Sequence, residues 1–256
     1  MKVVVKIGSN VLTRPDGRLS IARIAALVDE VDLLKSAGHD VLIVTSGAVA
    51  AGRAQTTLPK DADRVVRRQV LSAVGQAILI DTYRALFDTV GRTVGQILVT
   101  KSDFSTAEHA SNMRQCLCAL WSYGIIPVVN ENDTVSVESL MFTDNDELAG
   151  LLASLLHADL LVILSSIDGL YDGDPEQPNA RLIRNVSPED DFSALVSQTK
   201  SSQGRGGMNT KLAVAKRSAE QGIPCVIANG TRPHVLCALV NGEAIPCTRF
   251  TVPVQT

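Results

Sequence analysis

Residues 2–12 read KVVVKIGSNVL. Three valines and an isoleucine run without polar alternation and are cut by Gly8, Ser9 and Asn10, the pattern of a strand buried on both faces that ends in a turn of small residues. Lys6 interrupts that run one position before its end. Lysine is rarely buried unless paired, and burying an unpaired ammonium costs on the order of several kcal/mol. The stretch therefore predicts an anion meeting Lys6 at the strand end, with Gly8, which lacks a Cβ, letting backbone amides come close to it. The competing reading is an edge strand whose lysine reaches out to water. Small residues after the strand and a second glycine-and-lysine stretch far downstream favour the first reading.

Working outward, a Pro15-Asp16-Gly17 turn precedes Ser20, placed to cap a helix with the apolar face Ile21, Ile24, Leu27, Val28, Val31 and Leu34, ended by Gly38. VLIVTSG (41–47) is a second buried strand running through Thr45, Ser46 and Gly47 into the helix start AVAAG. Strand ends of this kind are where open parallel sheets bind ligands, because helix N-termini present unpaired N–H groups there. The spacing then predicts a long helix over 61–88 with a soft spot at Gly75, a strand over 93–100, a helix over 106–122 and a strand over 125–129. That strand runs into NENDTV (130–135), whose polar residues must face solvent or a ligand. A weak hairpin over 135–142, the acidic cap TDNDE (143–147), an apolar helix over 148–157 and a strand over 160–164 follow. Ser165-Ser166 and the loop IDGLYDGDP come next, then a polar segment to Gln203. GRGGMNTK (204–211) opens a helix stopped by Gly222, and the last strand PCVIAN, a helix over 233–240 and a tail from Cys247 close the chain. Strands alternate with helices throughout, which predicts an α/β fold, a three-layer α/β/α sandwich around a mainly parallel open sheet.

With 24 basic and 27 acidic residues the net charge is −3, which gives no electrostatic case for nucleic acid or an anionic membrane as partner. The five cysteines show neither zinc spacing nor a disulfide framework, pointing to the reducing cytoplasm. Lys6 breaks the first apolar run too early for a signal peptide or anchor. The longest apolar region, 148–164, has His157 and Asp159 at its middle and reads as helix plus strand. Cys116, Cys118 and Trp121 are expected in helix packing, His39 on the surface and His157 at a helix end. An open sheet with apolar helices predicts a homo-oligomer.

GRGGMNTK has glycines whose amides can converge on phosphate oxygens and Lys211 in the first helical turn, but lacks the spacing of a Walker A loop. Lys6 and Lys211 can bracket a transferring phosphoryl group and neutralise its charge. Two such cations repel, so a carboxylate is expected between them, and Asp146 is the candidate. Standing alone, Asp144 and Asp146 would read as ordinary helix capping. No strand is followed by G-x-G-x-x-G, which disfavours a Rossmann dehydrogenase.

KIGSNVL, VTSGAVAAGR, NENDTV, DNDELA, DGLYDGDP and GRGGMNTK occur in an order and spacing that resembles the glutamate 5-kinases of the amino acid kinase superfamily, over nearly all of residues 2 to about 250. The resemblance implies an ATP-dependent kinase of the L-glutamate side-chain carboxylate, acting in proline biosynthesis. It places Lys6, Lys211 and Asp146 in catalysis and Ser46, Asp133 and Asn145 on glutamate. Gly8, Ser165, Ser166, Arg205, Gly206, Gly207, Met208, Asn209 and Thr210 fall on ATP together with both lysines, and Mg²⁺ is implied on the ATP phosphates with no protein metal site. The family's Thr-Asp before DGLY is here Ser165-Ser166, which removes a carboxylate from the nucleotide contacts. Many members carry a C-terminal PUA domain; residues 1–256 read as a single kinase domain without one. The rivals are a kinase of the same fold for acetylglutamate, carbamate, UMP or isopentenyl phosphate, and a non-catalytic sensor. TSGA without a nearby histidine argues against acetylglutamate and isopentenyl phosphate, and a sensor has no need of both lysines and Asp146.

Overall fold

The structure is a computed structural model that describes residues 1–59, 61–135, 142–187, 190 and 207–252. Its elements in chain order are β1 (Lys2–Ile7), α1 (Ser9–Leu12), α2 (Ile21–Ser36), β2 (Asp40–Val44), α3 (Ala48–Gln55), α4 (Arg64–Thr89), β3 (Val94–Val99) and α5 (Ala107–Ser122). There follow β4 (Ile126–Glu131), α6 (Asn145–Leu156), β5 (Leu160–Ser165), β6 (Asn185–Val186), α7 (Met208–Glu220), β7 (Cys225–Asn229), α8 (Val235–Val240) and β8 (Cys247–Phe250). The strands form one sheet in the order β3-β4-β2-β1-β5-β7-β8-β6, parallel throughout except at β7–β8. β1 lies at its centre, between β2 and β5, so Lys6 has no sheet edge from which to reach water.

The pleat decides which layer meets Lys6. Val3, Val5 and Ile7 pack on one face with Ile24 and Leu27 of α2, Leu79, Tyr83 and Phe87 of α4, and Leu236 of α8. Val4 packs on the other with Leu117 and Trp121 of α5, Leu148 and Leu152 of α6, and Leu212 and Ala215 of α7. Side chains two apart share a face, so Lys6 follows Val4 toward α6 and α7. Connections leaving β1 and β2 run to the first layer, those leaving β4 and β5 to the second. Two crevices therefore open at the carboxyl ends of the strands, between β1 and β5 and between β2 and β4.

The soft spot at Gly75 is a helix crossing. A Cβ there would stand 1.7 Å from the carbonyl oxygen of Ala48, and one at Gly52 would stand 1.9 Å from that of Leu71, so the backbones of α3 and α4 touch with no room for a methyl group. Although α4 is long and apolar enough by length and composition to cross a membrane, it buries Leu71, Leu79, Tyr83 and Phe87 against the sheet layer. Glu30, a carboxylate on the buried face of α2, accepts from Leu236 N (2.6 Å) and Cys237 N (3.1 Å) at the start of α8. Burial, opposed by these two amides, leaves its pKa raised.

Four expectations change. The tail from Cys247 is strand β8, and β7 is not the last strand: Thr248 Oγ1 accepts from Leu170 N and donates to Ile183 O, drawing the tail onto the sheet. Ile21 is 51% exposed, because at the first helical position it precedes the stripe that faces the core. Cys116 is exposed and Cys118 only partly buried, since α5 turns Leu117 and Trp121 inward. The strand expected over 125–129 extends through Glu131. The hairpin over 135–142 lies mostly outside the described residues.

Candidate active site

α6 begins at Asn145, not Leu148, because Asp144 caps it, accepting from Asp146 N (2.9 Å) and Glu147 N (3.1 Å). That cap fixes the first turn and aims Asp146 at the end of β1. Lys6 Nζ stands 2.7 Å from Asp146 Oδ1, and Lys211 Nζ, from the first turn of α7, donates to Oδ2 at 2.8 Å. The trio is nearly sealed, with Lys6 5%, Asp146 0% and Lys211 7% exposed. Burial pushes the Asp146 carboxyl up, but the pull of Lys6 and Lys211 outweighs it and holds the group at about 2. Burial also drives the Lys6 ammonium below its ordinary value, against the pull of Asp146 and helped by Lys211. Asp144 is raised, by burial first and by the Asp146 charge next, against the pull of Lys6. In direct contact two ammonium groups share one carboxylate, with Asp144 a second acid acting on both from longer range, and this concentration of cations suits a polyanion.

Lys6, Asp144 and Lys211 line a cavity of about 1170 Å³ together with Gly8, Ser46, Asp133, Asn145, Ser165, Ser166 and Met208. Gly8 donates to Leu164 O at 3.1 Å, and a Cβ there would sit 3.1 Å from that oxygen and 3.8 Å from Lys6 Nζ. Gly207 is the N-cap of α7, its carbonyl accepting from Thr210 Oγ1 at 3.2 Å. Asn209 is exposed, and Gly207, Asn209 and Thr210 stand outside the cavity lining. Arg205 and Gly206 lie outside the described residues.

At the β2–β4 end, Asn145 Nδ2 lies within hydrogen-bond distance of Thr45 O (2.9 Å), Ser46 Oγ (3.0 Å) and Asn130 Oδ1 (3.0 Å), tying α6 to both strand ends. Among the described residues the buried Asn145 Oδ1 and Asp144 Oδ2 have no hydrogen-bond partner, which leaves two acceptors for a ligand. Asp133 accepts from Arg68 Nε (2.7 Å) and Ser72 Oγ (2.9 Å), while Arg68 Nη2 also reaches Glu131 Oε2 at 2.9 Å. Gln76 Oε1 accepts from Asn130 Nδ2 at 2.8 Å. Arg68, Ser72 and Gln76, spaced four apart, thus lay a polar stripe of α4 on the end of β4. Among the described residues no three His, Cys, Asp or Glu side chains group as a metal cage.

Residues 1–229 match the model of the amino acid kinase family. The glutamate 5-kinase of Bacteroides thetaiotaomicron is 48% identical over 250 residues, covering 97% of this chain and 69% of that protein. The chain belongs to the amino acid kinase family, among the glutamate 5-kinases. A second glutamate 5-kinase, of Symbiobacterium thermophilum, is 42% identical over 245 residues, 95% of this chain and 94% of its own. The shared fold reaches further: the carbamate kinase of Giardia lamblia superposes with a TM-score of 0.69 at 16% identity, over 98% of both chains.

For this glutamate 5-kinase family member, sequence reasoning missed Arg68, Ser72, Gln76, Asn130 and Glu131 as site components. The signal was present for α4: positions 68, 72 and 76 continue the face of Leu79, Tyr83 and Phe87, and a polar stripe continuing a buried face must meet polar partners.

Proposed function

We propose that this chain transfers the γ-phosphoryl group of ATP to the side-chain carboxylate of L-glutamate, giving L-glutamyl 5-phosphate and ADP, the first step of proline biosynthesis. The observation that carries the mechanism is the convergence of Lys6 and Lys211 on Asp146 at the cavity floor. A γ-carboxylate oxygen attacks the terminal phosphorus in line, and the bond from that phosphorus to the ADP oxygen breaks. A carboxylate is already a nucleophile, so no general base is required. Lys6 and Lys211 stabilise charge on the equatorial oxygens as the transfer proceeds, and Asp146 keeps their ammonium groups aimed. Ser46 and Asn145 hold the acceptor near the β2 end, and Asp133 supplies charge for its α-ammonium.

The nucleotide lies along Gly8, Ser165, Ser166 and the start of α7. Mg²⁺ would be held through ATP phosphate oxygens, with Asp144 Oδ2, which has no hydrogen-bond partner among the described residues, as a protein acceptor, and would neutralise phosphate charge. Five unpaired cysteines support a reducing, cytoplasmic setting. Exposed Leu98 on edge strand β3 and Val66 and Val74 on α4 support a homo-oligomer.

The test is ATP consumption with L-glutamate, N-acetylglutamate and UMP offered separately, with hydroxylamine present to trap an acyl phosphate as its hydroxamate. Turnover and trapping with L-glutamate alone are expected. Turnover with UMP and no hydroxamate would overturn the reading.

A further inference from the structure

Arg68 places its guanidinium between two nearly buried carboxylates, Glu131 on β4 and Asp133 just beyond it. Asp133 Oδ1 is held by Arg68, with Nε at 2.7 Å and Nη2 also in contact, and Oδ2 accepts from Ser72 Oγ at 2.9 Å. A carboxylate oxygen has two lone pairs, so Oδ2, with that one donor among the described residues, keeps acceptor capacity. Three charged groups in contact, one positive and two negative, leave one surplus negative charge. The other arginines on the cavity lining nearby, Arg53 and Arg64, are exposed and screened by water.

Without Arg68, Asp133 Oδ1 would lose the guanidinium that holds it and the carboxylate would be held through Ser72 on Oδ2. A carboxylate held at one oxygen is free to turn, and a turned carboxylate is a poorer receptor for an ammonium group. We propose that Arg68 is the positioning residue that braces Asp133 beside Glu131, so that the acceptor end presents one oriented negative charge and selects an α-amino acid over the same dicarboxylate lacking its amine. This rests on the reading of the cavity as the site of glutamate phosphorylation.

The experiment compares L-glutamate with glutarate, which has the same two carboxylates and no ammonium, in the wild-type protein and in Arg68→Gln, Arg68→Lys and Ser72→Ala. For Arg68→Gln the KM for glutamate rises about tenfold, equivalent to about 1.4 kcal/mol, with kcat within threefold. The kcat/KM for glutarate stays within twofold, so discrimination between the two acceptors falls about tenfold. Arg68→Lys restores part of the discrimination by restoring the charge. Ser72→Ala, which removes the second brace with almost no change of volume, raises the KM for glutamate about threefold and carries the test should Arg68→Gln not fold. Unchanged discrimination in the folded Arg68 variants, or an equal loss with both acceptors, overturns the inference. A wild-type protein that turns over neither acceptor overturns the underlying reading instead.

Discussion

The two ends of the cavity are electrostatic inverses. At the β1–β5 end, two ammonium groups share one fully buried carboxylate; at the β2–β4 end, two carboxylates share one guanidinium. The first concentrates cations where phosphates would lie, the second leaves surplus negative charge where an amine would lie. They also differ in what holds them. The cationic end is fixed by strand β1 and two helix starts within one layer, whereas the anionic end depends on α4, brought in by a glycine crossing from the opposite layer. Damage to the first should therefore appear in turnover, and damage to the second in acceptor affinity.

The largest effect is expected at the cationic end. Lys6→Ala and Lys211→Ala should each lower kcat about 10²–10³-fold while moving the KM for glutamate little. Turnover within threefold of wild type for either would remove it from the transition state. Asp146→Ala should cost stability as well, about 3–5 kcal/mol, because two buried ammonium groups lose their anion; chemical denaturation measures it. Since the folded Asp146 carboxyl lies at about 2, below its unfolded value of about 3.9, its contribution to stability is complete above pH ~4. That contribution is lost as the pH falls toward about 2, and Asp146→Asn should flatten this acid limb of the stability curve.

Next comes the crossing itself. Gly75→Ala puts a methyl group into the Ala48 carbonyl and should destabilise by about 1–3 kcal/mol. In the folded fraction it should raise the KM for glutamate several-fold and leave that for ATP unchanged. An equal rise for both substrates would mean that the ends are not separately supported. Asp133→Ala should raise the KM for glutamate about tenfold with a smaller change in kcat, and an unchanged KM would take Asp133 out of the acceptor site. The smallest effect belongs to a control remote from both ends. Glu30→Gln should shift stability by about 1 kcal/mol with kinetic constants unchanged. Because burial raises the Glu30 pKa, its favourable contribution is present below the unfolded value and lost as the pH rises through the folded one, and the Gln variant should lack that dependence.

The same contrast explains what could be read from the chain. Lys6 stood out because a lysine inside a valine run violates burial, and the repulsion expected between Lys6 and Lys211 pointed to Asp146 as the carboxylate between them. The α/β layering followed from unbroken apolar strands alternating with helices. The anionic end was half visible. NENDTV announced polar residues leaving a core strand, but their partner Arg68 lies 63 positions before Glu131 on a helix whose pattern shows only amphipathicity. Gly75 read as a weakness because propensity counts what a glycine costs a helix and not what it allows a neighbouring helix to do. β8 was missed because four residues, antiparallel to β7 and covered by the two-residue β6, carry too short a pattern to register.

The placement of β1 has a consequence for how the protein is made. β1 pairs along its length with β5, Lys6 lying opposite Ile163, and the Lys6 ammonium group is joined to that of Lys211 through Asp146. Lys6 and Lys211 are therefore brought to Asp146 only once the chain between them has been made and its strands have paired.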